Sequence, residues 1–479
     1  MGFAELRFAN VPSDSISASA LAGAIEASHY SVFVRAAYAC ARVLLHTAEN
    51  RKQTSKSAIR KLRRMASGEP GAGQISVVHE CDWGQVDTEF TQFALAHVGR
   101  FLTAGKVSNL VHSERRAFLR ELAKLLAAQG WLTFSTLKLD GQTIAWNYGF
   151  RFAGSWFWYQ PAFDSEQQHL SPGTHLLCEI LREASADTEI RTVDLGLGDE
   201  GYKQRYAKAA RQTLHISASR SKLRFVAEVC RYRVAGFVKK SPRVEKEVRR
   251  NIARAASLRR NAVQRGYWAC LHQYLGRLAG ASEVLFFEWI DGSAYVSTPG
   301  SAVVPRFNET NLHPVSVELL ARAAMTYAQE EETLKYLLRS AERLASGGTG
   351  FALTSSTGEP VNFCWVGPFE GFKMAELDHE LREPAAESIL LFDCWTPLSE
   401  RGRGHYGLCT SQVAARLLES GKKPWIFSAA TNLSSARALE RAGFVQRFSL
   451  TREKKLFLSR ISMEPKHQPE PILDLYPAA

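Results

Sequence analysis

No two of the chain's eight cysteines stand at CxxC spacing, and none joins histidines at zinc-ligand spacing. Cys40, Cys81, Cys178, Cys230, Cys270, Cys364, Cys394 and Cys409 are scattered over the 479 residues. That scatter argues against a metal-binding ribbon and a disulfide scaffold, and it suits free thiols in a reducing compartment. No run of about eighteen apolar residues occurs, the length a membrane helix needs. The first residues lack a charged stretch followed by an unbroken apolar one, because Glu26, His29 and Arg35 interrupt the only candidate. The expectation is a cytoplasmic protein with no signal peptide, no membrane span and no metal.

What is present is basic in one place. The formal charge is +12. Between Arg220 and Arg265 stand fifteen Lys/Arg against three Glu, a local net of +12. The remainder of the chain is balanced, so one segment holds the excess. A tRNA or an anionic membrane surface are the partners such a segment can take; a solvated bridge between domains is the plainer reading. Its few aromatics (Phe225, Tyr232, Phe237) speak against base stacking.

A length of 479 residues predicts two or three domains. The pattern reads as helical over 15–50, with a basic helix at Lys52–Arg64 closed by a Gly/Pro turn. Helices are expected at 84–103 and 113–129. The period then changes to strands at Leu132–Leu139, Gln142–Phe152 and Ser155–Tyr159, with Asp140-Gly141 as a hairpin turn. A helix at 174–185, a strand at Arg191–Leu195, a short helix at Gly201–Ala210 and a strand at Thr213–Ser219 follow. Two helices are expected in the basic connector, about 221–241 and 243–280. The second half offers a strand at Val284–Ile290 and helices at 314–326 and 328–346. Strands at Gly350–Thr354, Val361–Gly367 and Ile389–Trp395 come next. A helix runs to about Ser420, followed by a strand at Trp425–Ala429, a helix at Ser434–Ala442 and a closing hairpin. Both halves end alike, which reads as a degenerate internal repeat of one α/β unit. The expected domains are 1–220, a basic helical connector 221–280, a domain 281–462, and a Pro-rich disordered tail 463–479.

Two patterns near the C-terminus carry chemistry. Arg401-Gly402-Arg403-Gly404-His405-Tyr406-Gly407 reads as a basic, Gly-rich turn between a strand and a helix. Backbone N–H groups there can converge on an anion, the helix adds its positive end, and the arginines add charge. Asn432 followed by Gly443-Phe444 reads as a strand end, a short helix and a stop. Together they suit the pyrophosphate of a large acyl donor, with Asn432 for positioning. In the first half, Ser171-Pro172-Gly173-Thr174 opens a helix, as a second phosphate turn or as a plain helix cap. The loop Gly198-Asp199-Glu200-Gly201-Tyr202-Lys203 crowds carboxylates and a Lys after a strand. Asp199 can accept the proton of an incoming amine or hydroxyl, and Lys203 can neutralise a developing oxyanion. The aromatic run Trp156–Tyr159 reads as strand packing, His405 as a helix-start contact, and Cys409 as a core residue.

The C-terminal patterns resemble the GNAT acyltransferase superfamily, whose phosphate loop runs Arg/Gln-x-x-Gly-x-Gly/Ala. Arg401 to His405 fit it, and Tyr406 departs, with Gly407 next to it. Leu439 stands where that superfamily often has a Tyr that protonates the leaving thiolate. From Lys56 to Ser219 the order of features resembles the CelD/BcsL-type acetyltransferases of cellulose and exopolysaccharide synthesis, relatives of the Fem-type aminoacyl-transferases. The resemblance rests on Arg60-Lys61-Leu62, the Asp140-Gly141 hairpin, Ser171-Pro172-Gly173 and Gly198 to Lys203. It implies an α/β fold of tandem GNAT-like domains, each a mixed sheet flanked by helices. It also implies acyl transfer from acetyl-CoA or a longer acyl-CoA to a small-molecule or saccharide amine or hydroxyl. Lys203 matches the Lys that steadies the transition state in Fem-type relatives. An aminoacyl-tRNA-dependent transferase and a non-catalytic acyl-CoA-binding scaffold are the alternatives.

Overall fold

A computed structural model describes residues 3–46, 74–198, 201–207, 209–239, 247, 279–290, 311–455 and 458–466. The chain divides into two compact units, Met1–Phe93 with Leu119–Gly266, and Ala94–Phe118 with Tyr267–Ala479. Its fold class is mixed α/β, with one eight-stranded sheet in each half.

The first half runs β1 (Glu5–Pro12), α1 (Ile16–Ala27), β2 (Ser31–Leu44), β3 (Ile75–Glu80), α2 (Trp83–Thr103), α3 (Ser113–Ala128), β4 (Leu132–Leu139), β5 (Gln142–Phe152), β6 (Ser155–Phe163), α4 (Pro172–Ala186), β7 (Thr192–Leu197), β8 (Ala209–Ser219) and α5 (Lys222–Lys239). Its sheet order is β1-β8-β2-β7-β6-β5-β4-β3. Every pair is antiparallel except β6 with β7. The β4–β5 turn takes positive φ at both Asp140 (51°) and Gly141 (81°), as a two-residue hairpin with right-handed strand twist requires. One face packs under α4, where Leu176, Leu177, Ile180 and Leu181 meet Trp156, Trp158, Val193 and Leu195.

The second half runs β9 (Ala279–Trp289), β10 (Leu312–Pro314), α6 (Val317–Thr326), α7 (Glu331–Ala345), β11 (Thr349–Thr354), β12 (Pro360–Pro368), the small ribbon β13 (Lys373–Met374) and β14 (His379–Glu380), β15 (Ser388–Trp395), α8 (His405–Glu419), β16 (Lys423–Ala429), α9 (Leu433–Arg441), β17 (Phe444–Lys455) and β18 (Leu458–Pro465). Its sheet order is β10-β11-β12-β15-β16-β9-β17-β18, and only β15 and β16 are parallel. Seven strands therefore answer one another in order: β3, β4, β5, β6, β7, β2 and β8 to β10, β11, β12, β15, β16, β9 and β17. Only the edge strand differs in origin, β1 from the start of the first half and β18 from the end of the second.

Three expectations change. The stretch 15–50, expected to be helical, holds one helix and then the strand β2. Ala and Arg favour a helix there, but Ser31–Leu44 fills a central slot and is hydrogen-bonded to β8 on one edge and β7 on the other. The short helix expected at Gly201–Ala210 is a single 3₁₀ turn, Lys203–Arg205, and β8 already starts at Ala209. Met463–Pro465, expected in the tail, belong to β18, which pairs as far as Pro465 with Phe448. Lys52–Arg64, Asp199 and Glu200, nearly all of the second connector helix, and the tail from 467 lie outside the described residues.

Candidate donor-binding site

In each half the parallel strands pair briefly and then part. β6 and β7 are in register from Ser155↔Thr192 to Phe157↔Asp194. β15 and β16 are in register from Ser388↔Lys423 to Leu391↔Ile426. A bulge sits at each parting. Trp158 and Tyr159 together oppose Gly149, and Asp393 and Cys394 together oppose Cys364. Such a bulge adds one residue and bends the strand away from its neighbour. Gly149 is required there, since a Cβ would stand 2.6 Å from the Phe157 carbonyl oxygen. In the second half Asp393 takes φ 45° and its carboxylate meets Arg343 at 2.8 Å.

The chain leaves the parted β15 through Thr396 and Pro397 into a 3₁₀ turn, Leu398–Glu400, and then the glycine turn. Gly402 and Gly404 have φ of 79° and 84°, a conformation that glycine adopts without a side-chain penalty. Gly404 opens α8 with no side-chain cap. Among the described residues, the N–H groups from Gly402 through Gly407 take no hydrogen-bond partner; the first helical bond is Leu408 N–H to the Gly404 carbonyl. Six consecutive donors are thus left without a partner among the described residues at the positive end of a four-turn helix. A Cβ at Gly402 or Gly404 would meet nothing within 4 Å, so the turn is open.

Charge around the turn is arranged by two glutamates. Glu400 accepts from Arg403 at 2.9 Å and lies 3.4 Å from His405 Nε2. Arg403 is mostly exposed, so its pair with Glu400 is weak and exchangeable for another anion. Arg401 lies over the Trp395 ring, and its Nε donates to the Thr396 carbonyl. Glu330, at the cap of α7, accepts from the N–H groups of Leu398 and Ser399, from Ser399 Oγ and from Thr333 Oγ. Burial pushes its carboxyl up, but these hydrogen bonds outweigh burial and hold it below the usual carboxylate value. Glu330 ties down the turn that leads into the glycines.

Other expected residues have local duties. Asn432 caps α9, its side-chain oxygen accepting from Ser435 N and Ser434 Oγ. Gly407 faces α9, where a Cβ would make ordinary contact, 3.4 Å from the Ala438 carbonyl oxygen. Tyr406 reaches α9 through a bond from Ser435 Oγ, and burial raises its phenol well above the ordinary value. Leu439 is fully buried among Val413, Ile426 and Phe444.

The first-half turn is built differently. Ser171 takes φ 55° and caps α4 through its backbone, with Thr174 and His175 N–H both bonded to its carbonyl. Pro172 has no N–H to offer. Gly173 makes room for the Phe163 ring, which a Cβ would meet at 3.2 Å. Among the described residues only the Gly173 N–H of this turn is left over. Lys203 is buried, and its ammonium donates to the Leu197 carbonyl at 2.7 Å and the Gly196 carbonyl at 3.5 Å. It ties the 3₁₀ turn Lys203–Arg205 to the end of β7.

Sequence reasoning missed Glu330, Glu400 and Asn362. Glu400 stands three residues before Arg403, a visible pairing distance. Glu330 reads as an ordinary helix-start acid; its targets lie 68 and 69 residues away. Asn362 is fully buried on β12 and donates to Thr396 Oγ at 2.7 Å.

Residues 49–204 match the family model of an acetyltransferase (GNAT) domain. No curated protein matches the chain. Among solved structures, one from Novosphingobium aromaticivorans, described as a GNAT-family acetyltransferase, is similar at 16% identity over 39% of this chain and 66% of its own, with a TM-score of 0.23. The chain thus spans just under two thirds of that protein. A GNAT-family acetyltransferase from Colwellia psychrerythraea is similar at 10% identity over 78% of this chain and 96% of its own, with a TM-score of 0.25. A C-terminal domain from Agrobacterium fabrum, described as part of a lysylphosphatidylglycerol synthetase, is similar at 12% identity over 47% and 70%, with a TM-score of 0.34. At such identities and scores these likenesses carry no weight for the chemistry. The family match covers about a third of the chain, and what it supports is a GNAT acetyltransferase domain in the first half.

Proposed function

We propose that the protein is a GNAT-type acyltransferase with two GNAT-like units. It moves an acetyl or longer acyl group from acyl-CoA to an amine or hydroxyl by direct attack, on a small molecule or a saccharide acceptor. The observation that carries this reading is the run of N–H groups from Gly402 to Gly407 that take no partner among the described residues, at the open end of a parted parallel strand pair. The donor's pyrophosphate would lie on those N–H groups, with Arg401 and Arg403 neutralising it and Glu400 giving up its partner. Beyond Leu391↔Ile426 the β16-facing edge of β15 has no ladder partner among the described residues. That edge suits the extended, amide-bearing arm of coenzyme A. Transfer then needs a deprotonated acceptor, an N–H on the thioester carbonyl and a proton for the departing thiolate.

Asp199 and Lys203 are proposed at the acceptor end of the first unit, where the family model matches. In that reading Lys203 keeps its carbonyl partners, and Asp199 takes the acceptor proton. The burial of Leu439 favours a second reading for the other unit, as a donor-binding module without chemistry of its own. Isothermal titration and thermal shift with acetyl-, malonyl- and long-chain acyl-CoA test the proposal. Neither heat nor a shift with any of them sinks it. Binding without turnover over an amine and sugar panel supports the module reading.

A further inference from the structure

We propose that the outward face of α5 docks the protein on an anionic lipid surface. The helix has two apolar faces. Its inner one is held in the first unit: Phe225 and Val229 are half-buried, and the Tyr232 ring meets Phe33 edge-on at 5.5 Å and lies under Arg35. Among the described residues the outer one has no such cover. Leu223 is 85% exposed, Val226 55% and Val234 63%, and Ala227 and Cys230 are exposed with them. At 3.6 residues per turn, these five positions form one stripe about 100° wide.

Cations border the stripe on both sides. Arg224 and Arg231 fall along one margin, Lys222 and Arg233 along the other. Arg224 shares Glu5 with Arg7. Lys222, Arg231 and Arg233 have no acidic partner among the described residues. An apolar stripe between two rows of cations is the pattern of a helix lying in a membrane interface, stems along the acyl boundary and charges at the headgroups. From Lys240 to Arg265 the sequence adds nine Lys/Arg against two Glu, which strengthens the same attraction. A nucleic acid would use the cations but has no use for exposed Leu223 and Val226. A second copy would bring like-charged margins together. No described helix is long and apolar enough to cross a membrane, so the contact is lateral.

The test is co-sedimentation of the full chain with vesicles of phosphatidylcholine alone or mixed with phosphatidylglycerol. Binding is expected only to the anionic vesicles, and it should fall as salt rises. Arg231→Gln with Arg233→Gln should weaken it roughly 30-fold, at about one headgroup-level charge contribution each. Leu223→Asp with Val226→Asp should abolish it while the melting temperature stays unchanged, since both side chains are exposed. A fluorophore on Cys230, in a Cys81→Ser, Cys270→Ser background, should shift to shorter emission wavelengths on the anionic vesicles. Equal binding to neutral vesicles, or binding that survives the Asp pair, overturns the proposal. So does salt-sensitive tRNA binding in place of vesicle binding, or a dimer that the Asp pair dissolves.

Discussion

The two halves part their parallel strands in the same way and then build opposite turns. In both, a two-for-one bulge sits where the pair separates, and a fully buried asparagine stands two residues before the residue facing it: Asn147 before Gly149, Asn362 before Cys364. After the parted strand the second half presents six N–H groups without a partner among the described residues, two glycines of positive φ and two arginines. The first half presents a proline, a glycine filled by Phe163 and a cap already bonded to Ser171. Yet the family model matches the first half. One strand plan can therefore carry an open turn in one half and a packed turn in the other, because the sheet needs the bulge and the core but not the turn.

The largest expected effect tests the turn itself. Gly404→Val puts a β-branched residue at φ 84°, which strains the backbone and swings the N–H groups. Acyl-CoA affinity should fall on the order of 100-fold by titration, whereas Ser171→Ala in the first half should leave it within about twofold. Equal losses from both would erase the contrast.

Leu439→Tyr tests whether a Tyr at this buried position can serve as the proton donor that the proposal requires. Leu439 is fully buried, so the larger ring should destabilise by about 1–3 kcal/mol in denaturant melts, with no gain in rate. A faster enzyme would place that position at the chemistry.

Glu330→Gln should loosen the turn from outside it. Acyl-CoA KM is expected to rise roughly fivefold with kcat little changed. Because the Glu330 carboxyl is held below its usual value of 4.5, its contribution is full above that pH. It fades as pH falls through the lowered value. Wild-type binding should weaken in that acid window, and the Gln variant should show a flatter profile there.

The smallest effect separates the buried asparagines. Asn362 has one bond, to Thr396, and Asn147 has none among the described residues. Asn362→Leu should cost about 1 kcal/mol, and Asn147→Leu should be neutral or slightly stabilising in thermal melts. A large loss at Asn147 would mean that an ordered water satisfies its amide.

Strands rich in Thr, Phe, Trp and Tyr were legible to the residue: Leu132–Leu139 and Gln142–Phe152 need only alternation and an Asp-Gly turn. So was the glycine turn, since positive φ calls for Gly402 and Gly404. β2 was not legible, because its Ala and Arg prefer a helix until two neighbouring strands claim both edges. The 3₁₀ turn at Lys203 was not legible either, because its ammonium is held by carbonyls of β7.

By itself, the sequence determined the local matters: element type where side chains repeat with period two or near 3.6, the turn chemistry, the repeated order of elements and the basic stretch with its helix. Those depend on residues within a few positions of one another. Tertiary structure alone decided which turn keeps its N–H groups free and that Glu330 holds it from 68 residues away. It also put Leu439 in the core and Asn147 and Asn362 in matching places. Each of these depends on strand register and on burial, and neither exists until distant segments pack.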